Sequence, residues 1–207
     1  MRNIVARLCM SADGIVDRPE HWLPATGRDE LLDQLVTGAE TVLLGRTTFE
    51  QYAASVARYH SAVVPLDRLR KLVVSSRPVI ARPGTEVLRG DPRRVLRALK
   101  QVPGEDIHVV GSVTLVRSLL RWRLVDEVSL LVHPVQAGFG SPLFEDRRAL
   151  RPISLCAAGS GVLQATCRVD YAATATSSTS ASAGRWGGTW STDSVATTAR
   201  AAIRTHA

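Results

Sequence analysis

Three short apolar runs, each cut off by a small polar residue, leave this chain few architectures to choose from. They are Thr41-Val-Leu-Leu-Gly45-Arg-Thr-Thr48, Lys71-Leu-Val-Val-Ser75-Ser-Arg77 and Ile107-His-Val-Val-Gly111-Ser-Val-Thr114. Each run is too short for a helix and lacks the alternation of a half-exposed strand. It reads instead as a strand covered on both faces, as in a parallel sheet between helical layers. Ligands of open α/β sheets collect just beyond the carboxyl ends of such strands. After the first and third runs the period changes to that of a helix, with Phe49, Tyr52 and Ala53 in one case and Leu115, Leu119 and Leu120 in the other.

The residues at these three ends suit phosphate. Gly45 and Gly111 let backbone approach a ligand closely, and the following helices offer free N–H groups and the positive end of a dipole. Arg46 adds a planar fork of donors, and Thr47, Thr48, Ser112 and Thr114 add hydroxyls around the backbone of Val113. Ser75, Ser76 and Arg77 fit a singly attached phosphate such as the 2′-phosphate of NADP. Any one of these segments alone could merely cap a helix or close a turn. Their recurrence at three strand ends favours a nucleotide-binding rim.

The 207 residues suit one domain, or one domain plus an appendage, and 45% hydrophobic content supports a sizeable core. Net charge is +7, yet the arginines are scattered and lysine is nearly absent. The densest cluster, Arg93, Arg94, Arg97 and Lys100, lies opposite Val95, Leu96 and Leu99, as on the solvated face of an amphipathic helix. No nucleic-acid partner is expected. Cys9, Cys156 and Cys167 form no C-x-x-C pair, and no His, Asp or Glu cluster has metal-ligand spacing. With neither a signal-peptide pattern nor a membrane-length apolar stretch, the expectation is a cytoplasmic protein with no membrane partner.

Along the chain, strand Arg2–Met10 leads to a turn at Ser11–Ile15 and a loop rich in Pro and Trp. A helix is expected over Gly27–Val36, then strand 41–44, helix 47–55, strand 71–75 and a short strand at 86–88. Asp91 and Pro92 supply an N-cap and first-turn proline for a helix ending near Lys100. Strand 107–110 and helix 113–121 follow. From Val125 the strands come without helices, at 125–133, 153–156 and 162–171, with a hairpin turn at Gly159-Ser-Gly161. The fold class is α/β, a mixed, mostly parallel sheet flanked by helices with an antiparallel C-terminal edge. His108 and His133 fall inside strands and read as hydrogen-bonded core or edge histidines. Beyond the 1–172 domain, 26 of the 35 residues in 173–207 are Ala, Thr, Ser or Gly, too few large apolar groups to offset ordering, so a disordered tail is expected.

Ser11-Ala-Asp-Gly14, Leu44-Gly-Arg-Thr-Thr-Phe-Glu50, Val73-Val-Ser-Ser76, Val109-Val-Gly-Ser112 and Val125-Asp-Glu-Val…His133-Pro…Gly138-Phe-Gly140…Phe144 occur in that order. In this order and spacing, residues 2–171 resemble the dihydrofolate reductase-like superfamily. The closer likeness is to the branch of the reductase domain of the riboflavin-biosynthesis deaminase–reductase. The resemblance implies NADPH as cofactor, with Gly45, Arg46 and Thr48 on its phosphates and Ser75 and Ser76 on the 2′-phosphate, Arg77 adjacent. Gly111 and Ser112, followed by Val113 and Thr114, would take the pyrophosphate. It implies reduction of a small heterocyclic substrate, such as the opening of a phosphoribosylamine Schiff base. No deaminase motif (His-x-Glu…Pro-Cys-x-x-Cys) is present.

At the substrate end, His21-Trp22-Leu-Pro24 looks like the active-site loop of dihydrofolate reductases, where a carboxylate soon follows the proline. Here Ala25-Thr26-Gly27-Arg28 intervene and the first acid is Asp29. That departure disfavours the alternative of a dihydrofolate or pterin reductase. Trp22, Asp29 and Asp13 are the catalytic candidates. Asp13 reads equally as a substrate-end acid and as a turn residue bonding its own backbone. A non-catalytic nucleotide-binding dimeric module is the other alternative. The family commonly pairs, and the apolar run Val128–Val132 beside an antiparallel edge makes a homodimer the expected assembly.

Overall fold

Strand β1 (Ile4–Ser11) lies inside, not at the edge of, an eight-stranded sheet in the computed structural model, which describes residues 1–23, 28–58, 65–158 and 161–172. Next come α1 (Pro19–Trp22), α2 (Arg28–Val36), β2 (Thr41–Gly45) and α3 (Arg46–Arg58). A 3-10 turn (Pro65–Arg68) leads to β3 (Arg70–Val74) and β4 (Thr85–Leu88), then α4 (Pro92–Gln101), β5 (Ile107–Val110) and α5 (Val113–Arg121). The last three strands are β6 (Glu127–His133), β7 (Ala149–Ala157) and β8 (Leu163–Asp170). Sheet order is β4-β3-β2-β5-β1-β6-β8-β7. All neighbours from β4 to β6 are parallel, whereas β8 pairs antiparallel with both β6 and β7. The expected mixed, mostly parallel sheet with an antiparallel C-terminal edge is therefore the observed one.

The apolar runs are strands because both their faces are covered. Residues 42–44 and 107–110 are buried without a break. On one face, Ile4, Leu43, Leu72 and Val109 pack with Leu96 of α4 and Val116 and Leu119 of α5. On the other, Cys9, Val42, Leu44 and Val73 pack with Leu35 and Val36 of α2 and Phe49 and Tyr52 of α3. Each fully buried leucine contributes about 1.5–3 kcal/mol of transfer free energy. Helix α4 starts as its sequence indicates: the Asp91 carboxylate accepts from Arg93 N–H at 2.9 Å and Pro92 fills the first position.

Lys71 sits fully buried in β3. It is tolerated because its ammonium donates to the carbonyls of Leu66 and Asp67 in the 3-10 turn and of Leu69 just after it, using all three donors, and lies over the Tyr52 ring. The amino end of β1 is fastened by side chains from distant segments. Asn3 N–H donates to Asp106 and Ile4 N–H to Asp126, whose carboxylate also pairs with Lys100.

Two expectations change. The Pro/Trp loop contains one helical turn, α1, because Pro19 occupies its first position behind Arg18, whose φ is +46°. The run Val128–Val132 is no surface, since β6 is enclosed between β1 and β8. The edge strand at this antiparallel end is β7, where Ile153 and Leu155 are 50% and 71% exposed. The hairpin residues 159–160, the segment 24–27 and the expected tail 173–207 lie outside the described residues.

Candidate functional site

Because β3, β2 and β5 are parallel and adjacent, their carboxyl ends share one edge of the sheet. A cleft of about 460 Å³ opens there. Gly45, Arg46, Thr47 and Thr48 line it from the β2–α3 junction, Ser75 and Ser76 from the end of β3, and Ser112 and Thr114 from the β5–α5 junction. Gly90, between β4 and α4, and Pro92, the first residue of α4, complete the polar end of the lining. Residues read from the sequence as a phosphate rim are thus brought together in space. Gly111, Val113 and Arg77 do not line the cleft; Gly111 and Val113 flank Ser112, and Arg77 stands exposed beyond Ser76.

Ser112 ties two of the strand ends together. Its Oγ accepts from Gly45 N–H at 2.9 Å and shares a 2.6 Å hydrogen bond with Thr48 Oγ1. To reach them Ser112 adopts φ 54°, ψ 59°, left-handed backbone that a serine rarely takes, directly after Gly111 at φ +61°. Such a conformation costs on the order of 1–3 kcal/mol and persists only where the surroundings hold it. Here the two hydrogen bonds do so. Gly45 must be glycine, because a Cβ there would lie 2.8 Å from Ser112 Oγ. A Cβ on Gly111 would meet Thr48 Cγ2 at 3.3 Å rather than open cleft.

The polar groups of the rim differ in how free they are. Arg46 forms an i,i+4 ion pair with Glu50 at 2.8 Å. Exposed pairs of this kind are worth only a few tenths of a kcal/mol, so the guanidinium remains available to an anion. Ser75 Oγ closes its own turn, accepting from Arg77 N–H at 3.1 Å and donating to Arg77 O at 2.7 Å. The first turns of α3 and α5 add unpaired N–H groups and positive dipole ends. Together these donors fit the phosphates of a nucleotide.

The other candidates gather away from this cleft, at the carboxyl ends of β1 and β6. Asp13 is neither a free acid nor a purely local turn residue. Its carboxylate accepts from the Ser11 hydroxyl and from the N–H groups of Ala137 and Gly138 at 3.0 and 2.9 Å. Those hydrogen bonds, Ser11 foremost, hold its pKa down at about 2. Asp17 accepts from Ser141 N–H at 2.8 Å in the same way. The two carboxylates latch the 12–22 loop onto the glycine-containing loop 137–141. Trp22, half-buried, donates its indole N–H to Asp17 O at 3.0 Å and meets the His133 ring edge-on at 6.1 Å between centroids. Asp29 falls in the first turn of α2, but its side chain lies outside what is described.

The histidine expectation needs correction. His108 Nδ1 and His133 Nε2 are buried without a hydrogen-bond partner. Burial pushes both pKa values down, His108 to about 4 with the Arg7 guanidinium adding to the effect. Sequence reasoning also missed Ser118 and Trp122, which line the cleft from α5. The spacing Thr114, Ser118, Trp122 puts them on one helical stripe, which is the signal that could have found them.

The RibD C-terminal domain family model matches residues 2–164. The uncharacterized protein YyaP of Bacillus subtilis is 28% identical over 179 residues, 79% of this chain and 93% of that protein. A putative riboflavin biosynthesis protein from Shewanella sp. PV-4 shares the fold with a TM-score of 0.60 at 16% identity, over 81% of this chain and 99% of that one. Dihydrofolate reductase from Enterococcus faecalis, complexed with NADP(H), superposes with a TM-score of 0.52 at 16% identity, over 81% and 96% of the two chains.

Proposed function

The chain belongs to the RibD C-terminal domain family, and from that membership we propose that it is an NADPH-dependent reductase of the riboflavin-biosynthesis type. Its substrate class would be a small heterocycle or an imine-like sugar derivative. The observation that carries the cofactor reading is the convergence of three parallel strand ends on one cleft. Gly45, Arg46, Thr47, Thr48, Ser112 and Thr114 would hold the pyrophosphate region, with the Gly111 and Val113 backbone shaping the turn. Ser75 and Ser76, with Arg77 behind them, would take the 2′-phosphate. When bound, NADPH supplies the hydride. The chain's own residues bind, orient and exclude water: the latch made by Asp13 and Asp17 holds Trp22 and its loop in place at the substrate end.

Charge-assisted hydrogen bonds to a phosphate are each worth on the order of 1.5–3 kcal/mol, so NADPH should bind at least about tenfold tighter than NADH. Titrating both cofactors tests this, and equal dissociation constants would remove the assignment of Ser75, Ser76 and Arg77. A cofactor-oxidation screen over pyrimidine, pterin and carbonyl compounds then identifies the substrate class.

A further inference from the structure

The cleft continues past its phosphate-suited end. Thr114, Ser118 and Trp122 follow one another at four-residue intervals along α5 and its C-cap, and all three line the cleft. At 1.5 Å per residue, Trp122 stands roughly 12 Å beyond Thr114 along the helix axis. The chemistry changes over that distance. Ser118 Oγ is engaged within the helix, donating to Thr114 O and accepting from Arg121, both at 3.0 Å, and so offers little to a ligand. Trp122 is the only aromatic residue lining the cleft among those described, and it is half-buried, packed against the core while part of it stays uncovered. Val74, Leu115 and Pro92 supply the remaining apolar lining.

We propose that Trp122 is the stacking platform for the adenine base of the dinucleotide. The inference rests on the cofactor reading above and adds to it the residue that grips the end of the cofactor remote from the chemistry. A phosphate-binding turn at one end of a helix, and a flat aromatic surface two turns further on, match a ligand whose anionic groups and base are separated by a ribose. Ser75 and Ser76, at the end of the neighbouring β3, line the same cleft where the ribose phosphate of that half would lie. Base–aromatic stacking tolerates any base with a π-face, so Trp122 would set affinity, while the serines set the preference for a 2′-phosphate.

The test uses adenosine 2′,5′-bisphosphate, which carries the adenine half alone, and reduced nicotinamide mononucleotide, which carries the other. Both are titrated by calorimetry against the parent protein, Trp122→Phe and Trp122→Leu, with melting curves recorded for all three. Phenylalanine keeps a flat ring, whereas leucine keeps apolar bulk without one. Trp122→Leu should bind the bisphosphate on the order of tenfold more weakly than the parent, and Trp122→Phe should stay close to it. Nicotinamide mononucleotide affinity should not change in either variant. If Trp122→Leu binds the bisphosphate like the parent, while the parent binds NADPH, the platform assignment is overturned and the cofactor reading stands. If the parent binds neither NADPH nor the bisphosphate, the cofactor reading falls and the platform with it.

Discussion

Gly111 shows how much of this site a single backbone angle decides. At φ +61°, with Thr48 Cγ2 3.3 Å from where a Cβ would sit, valine there would strain the turn and push on Thr48. Thr48 is bonded to Ser112, and Ser112 to Gly45, so the disturbance reaches both helix N-termini. Gly111→Val should abolish NADPH binding while lowering stability by about 1–3 kcal/mol, read from a titration beside a melting curve. Binding at the parent's affinity would mean that this strand end is only structural. A glycine–serine turn at the end of an apolar strand was legible in the sequence. The role of the Ser112 hydroxyl was not, because its partners lie 64 and 67 residues away. His108 gives a second prediction at this scale. Its pKa falls from 6.5 to about 4 on folding, so the unfolded chain takes up the proton first as pH drops. Its contribution to stability is therefore complete above pH 6.5 and is lost as pH falls through about 4. His108→Gln should flatten this part of a melting-temperature profile between those values, and an unchanged slope would show that other groups titrate there.

Among elements, those legible in the sequence are the ones whose local signals agree with their burial. Helix α4 carries its N-cap, its proline and one apolar stripe, and β5 and α5 have the bounds their periodicity indicates. The element missed, α1, is a single turn made by Pro19 behind a left-handed Arg18, too short for any period to register. The Asp13 and Asp17 latch was likewise invisible, since its donors come from a loop 124 and 125 residues further on. The α5 stripe does double duty, with Leu119 fully buried beneath the sheet and Trp122 turned to the cleft. Leu119→Ala should cost about 2–5 kcal/mol in denaturant unfolding, because it leaves a cavity at the centre of one core layer. NADPH affinity should hardly change below the melting range, since Leu119 does not line the cleft. A large loss of affinity would show that the cleft wall depends on that layer.

For the whole molecule, the exposed flank is the β8–β7 end of the sheet. Among the described residues no strand pairs with β7 on its outer side, and Ile153, Leu155 and Leu163 are 50%, 71% and 45% exposed. That edge carries Arg151, Pro152 and a bulge between Pro152 and Ser154, which disfavour strand addition, so what it offers a partner is its exposed apolar side chains. A second copy of the chain is the expected occupant, and light scattering at micromolar concentration should return twice the mass of one chain. A monomer mass would reject the pairing. The opposite property belongs to β1, which precedes the other described strands in the chain and is among the most enclosed. Its neighbours, β5 and β6, begin only at residues 107 and 127. During synthesis this apolar strand therefore emerges long before either partner exists, and the α/β units made in between have no central strand to close upon. Sheets built from such distant pairings assemble slowly and late. About half of the chain is made before β5 exists, with the future centre of the sheet bare until then, so Ile4–Ser11 is the segment most in need of shelter while the chain is being made.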